Sequence, residues 1–297
     1  MSQTPRVPRI YVNLISYLKA MNLLNTEDSV YDLNPSKQHN HGERVLEDNN
    51  VPDNIFNTKA YVAFLGHQGG ELKLNHNYTT NVSVNANIST DLNSLNPQHE
   101  GFSIASFNGN SVVSLGTYTE NPIGSIVLGN YWEAPHAVDL ALTLGYEQDG
   151  VKVQNMKGGG SISNATYLKP ADWWSGGAWQ LGNEPNIRSG RRTWSLSFSF
   201  LSEDDVFSKV AASTNLENAT YNSDANPTDD SLYDSTDFFT QVWNRTLGNH
   251  LEFILQVDKD DFSPDGFAIC RFDQNSLQLT QTSPFTYSTS VKIREVW

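Results

Sequence analysis

A single cysteine, Cys270, stands in a chain of 297 residues, so no disulfide can form within it and nothing demands an oxidising compartment. Basic residues are scarce as well. Lysine and arginine number 19 against 33 aspartates and glutamates, and the formal charge of −14 opposes binding to a phosphate backbone unless basic groups gather in one place. The densest group, Arg188, Arg191 and Arg192, is far short of a polybasic tract. No apolar run approaches the roughly 20 residues of a membrane helix, and the opening MSQTPRVPRI, with Pro5 and Pro8, has no apolar leader segment. The expectation is a protein made and used without secretion, with no direct nucleic-acid binding and no membrane insertion.

Catalytic and ligand motifs are also missing. There is no G-x-S-x-G elbow, and Cys270 lies inside the apolar run FAICRF, where a small buried hydrophobe is expected rather than a reactive thiolate. His39 and His41 are two apart and the other histidines are scattered, so none has the i, i+4 spacing of a helical zinc site. Asp258, Asp260, Asp261 and Asp265 invite a calcium loop, but its sixth position is Ser263 instead of glycine and its twelfth is Ile269 instead of glutamate. KGGGS at 157–161 lacks the lysine, hydroxyl and strand-to-helix setting of a phosphate loop and reads as a turn. Glu133, Asp139 and Asp172 are possible acids for a glycosidase, yet sequence brings no two of them together. No catalytic, cofactor-binding or metal-binding residue is assigned, and no cofactor is expected.

What the chain does have is Asn, Ser, Thr and Gly in abundance, 11% aromatics and only 18% charged residues, a mix that favours strands and turns. The fold class expected is mostly β: a β-sandwich plus a C-terminal α+β region with two short helices and an antiparallel sheet. Three segments follow. Residues 1–54 read as an N-terminal arm or extended segment in which 10–24 fit strand and helix equally. Residues 55–190 carry short β-like runs at regular spacing, among them the alternation of Val82, Val84, Ala86 and Ile88 with asparagine and serine, and read as the sandwich. QDG at 148–150 reads as a hairpin turn. Residues 191–297 form the α+β region. There Ser202 stands three before Asp205, predicting a capped helix to about Ala212, and Phe238, Phe239, Val242, Trp243 and Leu247 predict a second over 235–247, stopped by Gly248.

Two stretches hold the candidate recognition residues. In SGRRTWSLSFSF, Arg191 and Arg192 precede an alternating strand that places Trp194, Leu196, Phe198 and Phe200 on one face. The guanidiniums either face water or make bidentate contacts with carboxylates of this or a neighbouring subunit. In the loop KPADWWSGGAWQLGNEPNIRSG, Trp173, Trp174 and Trp179 could stack on sugar rings or anchor an interface.

The stretches GSIVLGNYWEAPHAVDLALTLGYEQDG and SGRRTWSLSFSFLSEDDVF resemble virion structural proteins of tailed bacteriophages. FFTQVWNRTLGNHLEFILQVD, FAICRFD and the closing VKIREVW resemble the end of distal tail proteins and lambda-type minor tail proteins, in which a strand delivers an aromatic before a short loop and the last strand ends in glutamate and an aromatic. Those positions are Phe253, Glu295 and Trp297 here. The resemblance covers roughly 124–297. It implies a non-enzymatic component of a phage tail tip or baseplate, assembled in the host cytoplasm and resident in the virion tail. Such a protein forms a homo-oligomeric ring, a hexamer or trimer, and links the tail tube to the hub and host-recognition fibres. Arg191, Arg192, Trp194, Phe253, Glu295 and Trp297 are then subunit-interface or structural positions. The alternative is a carbohydrate-binding module that recognises a bacterial surface glycan through Trp173, Trp174 and Trp179.

Overall fold

The computed structural model describes residues 6–22, 24, 29–33, 39–46, 56–67, 72–78, 101–107, 109, 112–139, 142–147, 151–165, 191–206, 237–262 and 266–296. The chain is mostly β, as its composition implies. The alternation expected at 82–88, the tryptophans at 173–179 and Trp297 lie outside the described residues.

The ambiguous N-terminal run resolves into both structures. Arg9–Asn13 forms β1 and Leu14–Ala20 forms helix α1, and the switch occurs at Asn13, whose side-chain oxygen accepts a hydrogen bond from the Ser16 amide at 3.2 Å. Five further strands follow: β2 (Gly42–Leu46), β3 (Ala60–Leu65), β4 (Leu72–Tyr78), β5 (Phe102–Phe107) and β6 (Val112–Thr119). Next come β7 (Ser125–Glu133), β8 (Thr143–Glu147), β9 (Val151–Asn155), β10 (Ser161–Ala165) and β11 (Arg191–Ser202). The chain closes with β12 (Phe253–Gln256), β13 (Phe267–Phe272), β14 (Leu279–Ser283) and β15 (Thr286–Glu295).

One antiparallel sheet in the order β5-β3-β7-β1-β12-β13-β15-β11-β8, with β14 also on β15, dominates the molecule. Strand β1 is central. It pairs with β7 on one side and β12 on the other, so strands from 1–54, 55–190 and 191–297 belong to one hydrogen-bonded sheet. Gly129 of β7 faces the Val12 carbonyl so closely that a side chain there would collide with backbone, which ties this glycine to the close approach of β1.

The sheet rolls up at one end. Phe102 of β5 and Phe267 of β13 lie five places apart in strand order, yet their ring centroids are 4.6 Å apart, around a core that includes Tyr11, Tyr61 and Ile254. On the opposite face of β5-β3-β7, α1 and a separate three-stranded sheet, β2-β6-β4, supply Leu14, Leu18, Leu72 and Leu74 against Val62, Phe64 and Leu128. This is the two-layer packing of the expected sandwich. A third core, with Trp132, Trp194, Leu196, Phe198, Phe253 and Ile293, fills the region under β11 and β15. Each fully buried side chain of this size stabilises by about 1.5–3 kcal/mol relative to exposure.

The first C-terminal helix begins where expected, and the second differs in extent and form. Helix α2 (Glu203–Val206) opens on a reciprocal cap: the Asp205 amide donates to Ser202 Oγ at 3.3 Å, and the Ser202 amide and hydroxyl donate to Asp205 Oδ2 at 2.9 and 2.7 Å. Its expected continuation over 207–212 lies outside the described residues. The second helix is a π-helical turn, Phe239–Asn244, with Asp237 accepting from the Thr240 amide at 2.8 Å, and it is shorter than the 235–247 predicted. Phe238 and Val242 are buried, while the element ends at Asn244, and Leu247, expected on the same face, turns outward with φ 51° in the turn that follows, next to Gly248 with φ 68°.

Two local expectations fail. Phe200 was expected inside with Trp194, Leu196 and Phe198, but the β11–β15 register shifts between Phe198 and Leu201, so the bulge turns Phe200 outward and gives its inward place to Leu201. QDG at 148–150 lies outside the described residues, and the strands on either side of it do not pair with each other: β8 pairs with β11, and β9 pairs with β10 in a separate two-stranded ribbon. The glycines of KGGGS form the tip of that ribbon, where the Met156 amide donates to the Gly160 carbonyl at 2.7 Å.

Candidate functional site: an open sheet edge and its arginine clasp

The alternation of a strand sends Arg191 and Arg192 to opposite faces. Arg192 shares the Trp194 side, its guanidinium 5.3 Å from the centre of the indole. There it meets Glu295 of β15 in a two-pronged ion pair: Nη2 lies 2.9 Å from Oε1 and Nε lies 3.1 Å from Oε2. The Arg192 backbone amide donates to the same Oε2 at 2.9 Å, and Nη2 also donates to the Phe267 carbonyl at 3.0 Å. The pair is nearly enclosed, with side-chain exposures of 14% and 2%. Burial alone would push the guanidinium pKa down, but the Glu295 contacts outweigh it and hold Arg192 more firmly charged.

Four of the six candidates are thereby drawn together. Phe253 pairs with Cys270, Cys270 pairs with Glu295, and Arg192 reaches Glu295 from β11 while standing opposite Tyr146 of β8. Trp194 lies one inward position further along. Cys270 is fully buried in this row and its thiol pKa is pushed well above normal, foremost by burial, which matches an inert core residue. Arg191 stands on the other face opposite Glu147, whose carboxylate is 3.1 Å from Arg294 Nε. Next to Arg294 is Arg271, paired with Glu252 at 2.6 Å, so that face carries a line of solvent-facing ion pairs.

Beside the clasp lies a cleft of about 190 Å³, bounded by Arg6, Leu144, Tyr146, Trp194, Asp258 and Asp261. Leu144 and Tyr146 are 51% and 69% exposed. They stand on β8, the last strand of the sheet, whose outer edge has no partner strand among the described residues. The opposite end differs: β5 is buried along most of its length by the roll of the sheet. Neither Leu144 nor Tyr146 was singled out by sequence. Within AVDLALTLGYE they look like core positions, and only the strand order makes them surface.

Two of the three acids considered for glycoside chemistry are otherwise engaged. Glu133 lies 2.6 Å from Arg9 Nη2 and 3.3 Å from Lys259 Nζ; burial raises its pKa, but these cations outweigh it and hold the carboxyl below the usual range. Asp139 accepts from Ser199 Oγ at 2.8 Å, and Asp172 lies outside the described residues. Asp258 and Asp260 form a tight loop in which the Asp260 amide donates to Asp258 Oδ1 at 3.2 Å. No group of three or more His, Cys, Asp or Glu poised for a metal occurs among the described residues. Sequence also missed a buried pair, Ser103 Oγ and His67 Nε2 at 2.9 Å, because the two are 36 residues apart and share no motif.

No family model matches the chain, and neither a curated protein nor a solved structure was found to match it.

Proposed function

We propose that the chain is a non-enzymatic structural subunit of a phage tail tip or baseplate. In the virion it assembles as a ring that links the tail tube to the hub and the host-recognition fibres. The observation that carries the assembly reading is the inequality of the two sheet ends. Proteins blunt free edges with charge, proline, bulges or cover, and the roll over β5 does so. Among the described residues, strand β8 has none of these along Leu144-Gly145-Tyr146, and it presents two large apolar side chains to water. Such an edge calls for a partner. The phage setting draws its support from the resemblance of residues 124–297 to distal and minor tail proteins. The buried clasp of Arg192 and Glu295 fits a scaffold that must hold its shape under load.

Mass measurement and electron microscopy of the purified protein test this. A closed ring, alone or with tail proteins, is expected; a chain that stays monomeric at high concentration in the presence of tail partners overturns the reading.

A further inference from the structure

We infer that the β9–β10 ribbon of one copy docks on the open β8 edge of the next. This rests on the assembly reading above and names the two surfaces that meet.

The ribbon is unusual in what it exposes. From Lys152 to Ser163 every residue is exposed, and among the described residues the two strands pair only with each other. A lone two-stranded ribbon is marginal in water and gains stability by packing on something. Its apolar residues are at the surface: Val153 at 62%, Met156 at 51% and Ile162 at 51%. Val153 pairs with Ser163 and Ile162 with Gln154, adjacent rungs whose side chains leave by opposite faces. Both faces of the ribbon therefore offer an apolar contact.

Charge identifies the occupant. Residues 151–165 contain Lys152 and Lys157 and no carboxylate, in a chain of net charge −14. The rest of the chain then carries −14 minus +2, or −16, and the arm is a basic projection from an acidic body. The β8 cleft matches it: Asp258 and Asp261 stand on its wall against one opposing cation, Arg6, while Arg192 is neutralised by Glu295, so the lining keeps a net negative charge. Leu144 and Tyr146 supply the apolar half of the match, and β8 and β9 are both five residues long. One chain thus carries both halves of the contact, basic and apolar on the ribbon, acidic and apolar at the edge. That is the argument for a second copy as the partner.

Within one copy the contact is not made. Only residues 148–150 separate β8 from β9, short enough for a hairpin, yet β9 pairs with β10 and, among the described residues, the β8 edge stays open. Because donor and acceptor are different surfaces, the contact is heterologous and repeats from copy to copy around a ring.

Disulfide trapping tests the geometry, and the buried Cys270 leaves a clean background. Tyr146→Cys and Val153→Cys are made as separate full-length proteins, mixed and oxidised. A covalent dimer joining the two variants is expected, and an intact oligomer that yields no such species overturns the proposal. A second variant, Val153→Asp with Ile162→Asp, changes only exposed side chains, so its melting temperature should stay near that of the parent while its oligomer mass falls to that of the monomer. A parent that forms rings together with a variant whose mass is unchanged rejects ribbon docking and leaves the assembly reading standing. A parent that stays monomeric at high concentration in the presence of tail partners removes the assembly reading itself.

Discussion

Arg192 and Glu295 are joined by two side-chain contacts and one backbone contact across neighbouring strands, and Glu295 is almost fully enclosed. The carboxylate that the sequence could place either in this subunit or in a neighbour is, for Arg192, in this one. The clasp therefore bears on folding before it bears on assembly. Removing one partner leaves the other as a buried, unpaired charge.

Arg192→Ala should accordingly destabilise the chain by roughly 3–5 kcal/mol, whereas replacing both residues with methionine should recover much of the loss. Arg191→Ala, at a half-buried position on the other face of the same strand, should cost less than Arg192→Ala. Urea unfolding of the four proteins measures the differences. Equal losses for Arg191→Ala and Arg192→Ala would show that the clasp does not support the fold.

His67 supplies a pH dependence. Burial holds its pKa down at about 4, only partly offset by a backbone hydrogen bond with Phe102, against about 6.5 in an unfolded chain. The folded state thus favours neutral imidazole. The stability this gives is complete above pH 6.5 and is lost as pH falls towards 4, at about 1.4 kcal/mol per pH unit and to a limit of roughly 3 kcal/mol. In His67→Gln that share of the acid sensitivity should vanish. Unfolding free energies of parent and variant between pH 7 and pH 4 read it directly, and parallel curves would refute it.

Phe200 carries a left-handed backbone, φ 63°, with 82% of its surface in water. A residue with a Cβ pays about 1 kcal/mol for that conformation and glycine does not. Since burial contributes little here, Phe200→Gly should leave the isolated chain as stable as the parent or slightly more so, although a large aromatic is removed. A loss of 2 kcal/mol or more in thermal unfolding would mean that Phe200 is packed.

The tryptophans at 173–179 separate the assembly reading from glycan recognition. On an array of bacterial surface glycans, the parent and a Trp173→Ala, Trp174→Ala variant should both give no signal above background. A hit from the parent that the variant loses would favour the carbohydrate-binding alternative.

Much of the fold was legible wherever alternation or capping is local. The inward faces of Trp194, Leu196 and Phe198 and the Ser202–Asp205 cap depend on residues within four positions of each other, and they appear as read. What stayed hidden depends on topology. Nothing near Phe200 announces a bulge, because the bulge is set by register against β15. Leu144 and Tyr146 look like core residues until β8 is known to be the last strand. The partner of Arg192 could not be chosen from sequence, since Glu295 is 103 residues away and one acid among many. His67 and Ser103 meet only because β3 and β5 pair.

The placement of β1 sets a schedule for synthesis. Arg9 pairs with both Glu133 and Gln256, so the strand made first is locked on its second edge by one made 247 residues later. At about 5–20 residues per second this interval is roughly 12 to 50 seconds. Throughout it, the Ile10 and Val12 side chains destined for the third core have no β12 to cover them, and β1 ends the nascent sheet β5-β3-β7-β1 with a neighbour on one side only. The final sheet is antiparallel throughout, yet its middle is completed almost last. Fusions or ligands that occupy residues 9–13 before release from the ribosome would block closure of the whole molecule, whereas the same occupation at 143–147 would leave it intact.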